Sequence, residues 1–206
     1  MLRKLHRSTA AAALLAALAI PGTAGAKAHQ WDILVLFSNA QGNVQFINLF
    51  ISDPTGTEEW LLGGREIASD SSTYVFPNDL PMNQSTFLTW VLIATQDYAD
   101  LPGAPTPDYI IPPQFFDPTG DTIRYRDTVD VFPIPPGVMP TDGVHSLERD
   151  LDTPVNVGIN FAGDFGTVNA PPAVNVVPSW GIGVAALLLL LLAAGAFLGD
   201  GRRARA

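Results

Sequence analysis

Between residues 29 and 161 the apolar positions fall into short runs broken by turn residues, without the three-to-four spacing of helices. The predicted strands are Trp31–Phe37, Val44–Ile51, Trp60–Leu62, Arg65–Ala68, Thr73–Phe76, Phe87–Thr95, Thr122–Arg126, Thr128–Phe132, Val144–Leu147 and Val155–Phe161. They are rich in Val, Ile, Phe, Thr and Trp, which suit a pleated surface. Between them stand Asn39-Ala40-Gln41-Gly42, Gly63-Gly64, Asp142-Gly143 and two Asp-Pro-x-Gly turns, Asp53–Gly56 and Asp117–Gly120. In the latter, proline presets φ at the second position and aspartate caps the turn. Strands and turns at this interval predict an all-β domain, an antiparallel sandwich.

Phe87 to Ala94 is apolar on both faces apart from Thr89, as expected of a central strand covered on both sides. Six prolines between Leu101 and Pro118, and four more between Phe132 and Pro140, remove ladder donors. Those stretches predict ordered loops lying on the sandwich. Tyr109, Ile110, Ile111, Phe115 and Phe116 then form a packed lid or, on the competing reading, an aromatic ligand-binding face. Residues 162–179 carry one charge, Asp164, and read as a flexible stalk reaching about 25 Å.

The first half of the domain resembles a lamin-tail-type domain. The resemblance lies in Trp31-Asp32-Ile33-Leu34-Val35-Leu36-Phe37-Ser38-Asn39-Ala40-Gln41-Gly42, Val44 to Leu49, Leu61-Leu62-Gly63-Gly64, Tyr74-Val75-Phe76-Pro77 and Leu92 to Thr95. It implies an immunoglobulin-like β-sandwich used as a binding or accessory module, and argues against an enzyme. Asn48 stands where that family usually has glutamate.

The two ends follow a different pattern. Arg3, Lys4 and Arg7 precede an unbroken apolar run of 11 residues, Ala10 to Ile20, and Pro21-Gly22 ends it. Residues 1–28 therefore read as a secretory signal, with small-x-small cleavage sites after Ala26 and after Ala28. Residues 180–198 hold no charge and six consecutive leucines, Leu187 to Leu192. At helical rise this stretch spans about 28 Å, the thickness of a hydrocarbon core. Trp180 stands at the interface, and Arg202, Arg203 and Arg205 in the tail 199–206 hold the cytoplasmic side. The predicted location is the inner membrane of a bacterium, single-pass, with the domain in the periplasm or at the cell surface. Val177-Pro178-Ser179-Trp180-Gly181, the leucine run and the arginines resemble C-terminal sorting tags of the PEP-CTERM and IPTL type, without their Pro-Glu-Pro signature. That resemblance implies an exosortase-type sorting enzyme as a partner.

Charge sharpens the picture. Nineteen of the 20 acidic residues lie between Asp32 and Asp164, against four arginines and no lysine, a net −15 over that stretch. Such a surface repels nucleic acid and anionic lipid headgroups and attracts cations. Cysteine is absent, so neither disulfides nor thiolate metal sites are available.

Candidate chemistry is sparse. Asp142, Glu148, Asp150 and Asp152 form the densest acidic group and are the calcium candidates, although Arg149 competes for the same charge. His145-Ser146 beside Asp142 invites a hydrolase reading, but adjacent strand residues point to opposite faces. Glu58-Glu59, Asp97 with Asp100, and Asp150 with Asp152 are the pairs available for glycosidase or ester chemistry. The function expected is a non-enzymatic envelope or surface module for adhesion, matrix or assembly contacts. The alternative is an envelope hydrolase acting on glycan or ester substrates through an acid pair.

Overall fold

In the computed structural model, which describes residues 28–170, side-chain alternation builds eleven strands and one short helix. In chain order they are β1 (Asp32–Ser38), β2 (Gln45–Phe50), β3 (Glu66–Ala68), β4 (Thr73–Val75), β5 (Trp90–Thr95), α1 (Gln96–Ala99), β6 (Tyr109–Ile111), β7 (Asp121–Tyr125), β8 (Asp130–Ile134), β9 (Leu147–Glu148), β10 (Gly158–Ile159) and β11 (Phe165–Gly166). A five-stranded sheet runs β6-β5-β2-β1-β9, a four-stranded sheet β4-β3-β7-β8, and β10 pairs with β11. The described span is all-β.

Period two in β2 and β5 sorts the apolar side chains between two cores. Ile47, Leu49, Val91 and Ile93 face the first, where Ile67, Ile123, Tyr125, Phe132 and Ile134 of the four-stranded sheet meet them. Phe46, Leu92 and Ala94 face the second, closed by Tyr98 of α1 and by Val168 and Ala170 near the end of the described chain. A bulge between Ile33 and Val35 shifts the parity of β1, so Ile33 and Leu36, three apart, both reach the first core. Each such side chain stabilises the fold by about 1.5–3 kcal/mol relative to exposure.

Several elements differ from the sequence expectation. The five-stranded sheet is mixed, because β6 runs parallel to β5. Parallel pairing needs a crossover, which α1 and residues 100–108 supply. β6 (Tyr109–Ile111) lies in Asp108 to Ile111, an interval free of proline inside the expected loop. β5 starts only at Trp90, since Leu88 sits at φ 57, left-handed backbone that interrupts a strand. It is an inner strand, flanked by β6 and β2, and β2 is the central one. Trp60–Leu62 is a tight turn in which Leu62 N–H donates to Trp60 O at 2.8 Å.

The folded unit also extends past Phe161. Residues 162–170 of the expected stalk form β11 and bury Val168 and Ala170, so composition alone misplaced that boundary. At the other end Ala28, counted in the predicted leader, is 1% exposed within the first core. The rest of the predicted signal, stalk residues 171–179, the 180–198 anchor and the 199–206 tail lie outside the described residues. Among the described residues no helix is long and apolar enough to cross a membrane.

Candidate functional site

Buried polar side chains are the first places to look for chemistry, because each needs a partner. In this domain the partner is usually backbone. Gln45 is fully buried; its Oε1 accepts from Phe115 N–H at 2.8 Å and its Nε2 donates to Phe116 O at 2.7 Å. Asn48 Nδ2 donates to Ile159 O at 2.7 Å, and its Oδ1 accepts from Ile159 N–H at 3.2 Å. Asn156 donates to Val144 O and Val168 O and accepts from Val168 N–H. These amides substitute for ladder hydrogen bonds where loops and short strands have none.

Carboxylates behave the same way. Asp108 Oδ2 accepts from Leu92 N–H at 2.8 Å and Phe161 N–H at 2.9 Å, while burial raises its pKa to about 6. Asp121 accepts from the N–H groups of Asp70, Asp117 and Thr122. Asp130 Oδ2 accepts from Ile33 N–H at 2.6 Å and from Arg149. Arg149 in turn donates from Nε to Ile33 O at 2.8 Å and lies over the Phe132 ring, clipping β1 to β8.

The calcium candidates do not converge. Among the described residues no group of three His, Asp or Glu stands where it could hold a metal ion. Asp142 accepts from the N–H groups of Val144 and His145 and faces His145 Nδ1 at 2.6 Å, contacts that outweigh desolvation and lower its pKa to about 2. Glu148 is raised by desolvation and by Asp150 and Asp152, and Asp150 Oδ1 accepts from Asp152 N–H at 3.2 Å.

Most residues of the hydrolase arrangements are engaged with other partners. Ser146 is buried and its hydroxyl donates to Pro154 O, whereas His145 turns its ring to Asp142. Glu59 is buried and binds His29, while its neighbour Glu58 is exposed. Asp97 accepts from Asn43 and Asp100 from Gln96 on the surface. The lid residues Tyr109, Ile111, Phe115 and Phe116 pack into the first core, with Ile110 left outward.

One cleft joins the two sheets' loops. It has a volume of about 310 Å³ and is lined by Gln41, Gly42, Ser71, Gln114, Asp117 and Thr119 among others. Its walls are fixed. Gln114 N–H donates to Gly42 O at 2.7 Å, and Gln114 itself holds a left-handed φ of 56. Asp117 Oδ1 accepts from the Thr119 hydroxyl at 2.7 Å and its N–H at 2.8 Å, which holds the carboxyl below the usual range. The Asp53 turn repeats these bonds with Thr55. Asp117 is the one ionisable group among the lining residues. A glycosidase-type reaction needs two carboxyls flanking the bond, so this cleft offers amide, hydroxyl and carboxylate contacts without an acid pair.

Reading the sequence singled out none of Gln45, Asp108, Asn156 or Gln114, and marked Asn48 only as a departure from glutamate, not as a backbone partner. The available signal was the polar residue inside an otherwise apolar run, as in Val44-Gln45-Phe46-Ile47-Asn48-Leu49. In comparisons with known proteins, no family model, no curated sequence and no solved structure matches this chain.

Proposed function

We propose that the chain is an exported, non-enzymatic binding module of the bacterial envelope, making adhesion, matrix or assembly contacts. On this reading it is an immunoglobulin-like β-sandwich of lamin-tail type. A signal peptide exports it, and the 180–198 helix holds it outside the inner membrane, or serves as a tag for an exosortase-type enzyme. The observation that carries the reading is the commitment of the buried carboxylates and amides to backbone. Open to a ligand is the cleft of amide and hydroxyl groups around the Asp117 carboxylate. Such a surface suits a hydroxyl-rich ligand, and the −15 balance disfavours nucleic acid.

The test is direct. Immobilised protein is incubated with polysaccharide fractions of the envelope, and with chromogenic glycosides and esters. Retention of polysaccharide without turnover is expected, weakened about tenfold by Gln114→Ala if one charged or bidentate contact is lost. Turnover that Asp117→Asn or Glu59→Gln abolishes would establish the hydrolase instead.

A further inference from the structure

The sequence offers two processing sites, and the fold separates them. We propose that the leader is cut after Ala26, so that the mature chain begins at Lys27 and keeps Ala28. The proposal rests on the export reading above.

Ala28 is part of the domain. It is 1% exposed and packs in the first core. Its carbonyl accepts from the Tyr125 hydroxyl at 2.7 Å and from the Arg126 guanidinium at 2.7 Å. Tyr125 is fully buried, so its hydroxyl has no water to turn to and needs that acceptor. The next residues are pinned as well. His29 N–H donates to Glu59 Oε2 at 2.7 Å, His29 Nδ1 lies 3.2 Å from Glu59 Oε1, and Trp31 Nε1 donates to Glu59 O at 2.9 Å.

Each cut has a different consequence. Hydrolysis adds water across one peptide bond, leaving a carboxylate on the leader and an α-ammonium on the mature chain. After Ala28, the carbonyl that Tyr125 and Arg126 share departs with the leader, and the Ala28 methyl vacates the core. The compensation is a charge on His29 N, but that nitrogen already donates to Glu59. Two hydrogen bonds and a packed methyl are lost against one bond strengthened. After Ala26, every one of these contacts survives. Both sites offer small residues at the first and third positions before the cut, Ala26 with Ala24 or Ala28 with Ala26, so leader chemistry does not separate them.

The full chain is expressed in an export-competent bacterium, and the mature protein is examined by intact mass and N-terminal sequencing. A start at Lys27 is expected, and a start at His29 overturns the proposal. A chain that retains residues 1–26 defeats the export reading itself. Ala28→Val removes the small residue required by the second site alone. Processing of this variant is expected to be unchanged, and its loss overturns the proposal. A version deleted for Lys27 and Ala28, so that His29 follows Ala26, should melt about 5 °C lower once exported. Equal melting temperatures would show that Ala28 contributes nothing, and would also overturn it.

Discussion

Asp108 is a buried side chain through which the stability of this domain answers to pH. Its folded pKa of about 6 lies above the ordinary value because burial disfavours the charge, despite two N–H donors on Oδ2. A raised acid contributes stability that is fully present below about pH 4 and is lost as pH rises through its folded pKa. Both donors converge on one oxygen, so asparagine can keep the bonds without the charge. Asp108→Asn should therefore stabilise the domain by about 1–3 kcal/mol at pH 8, with the gain disappearing near pH 4. Urea titrations at the two pH values check it; an equal effect at both would show that the charge is not the cause. At this scale the Asp-Pro-Thr-Gly turns were legible, because their hydrogen bonds lie within four residues of sequence. Asn48 was not, because its partner, Ile159, is 111 residues away and an isolated polar residue in a strand reads as solvent-facing.

Among elements, the longer strands were legible and the shortest were not. β1, β2, β5 and β7 each carry enough alternating positions to reveal their period. β9, β10 and β11 have two residues apiece, too few for any period; β9 is placed by its pairing with β1, and the β10–β11 region by Asn48, Asn156 and Asn160. β6 was hidden by the prolines on either side of it. Contact between the sheets also has an element-scale device in Arg149, which reaches Ile33 O, Val131 O and Asp130 from one planar group. Lysine carries a single ammonium on a flexible stem and cannot reproduce that fork. Arg149→Lys should cost about 1–3 kcal/mol in urea denaturation with an unchanged slope. Full retention of stability would mean that β1 and β8 are held by Phe132 and its neighbours alone.

For the whole molecule, residues 28–170 fold around their own two cores, while the readings that locate it rest on the ends of the sequence. All-β class was legible from strand and turn spacing, whereas the end of the folded unit was not. Val168 and Ala170 sit in a Gly- and Asn-rich stretch whose composition resembles a linker, and only the second core reveals their use. On the proposed anchor reading, deleting residues 180–206 should release the protein in soluble form, because the −15 stretch has no affinity for anionic lipid. Fractionation after a high-salt wash decides it. A truncated form that still pellets would place the anchor elsewhere. A full-length form that leaves the membrane with a mass matching cleavage near Pro178 would make residues 180–198 a removable tag.

The outermost strands of the two sheets limit how one copy can meet another. β8 carries Pro133, β6 runs directly into Pro112 and Pro113, and β4 and β9 are three and two residues long. A strand offered by another chain would find too few free donors and acceptors in register to extend either sheet. Copies crowded together should thus resist templated β-polymerisation, and a partner must be held by side chains and loops.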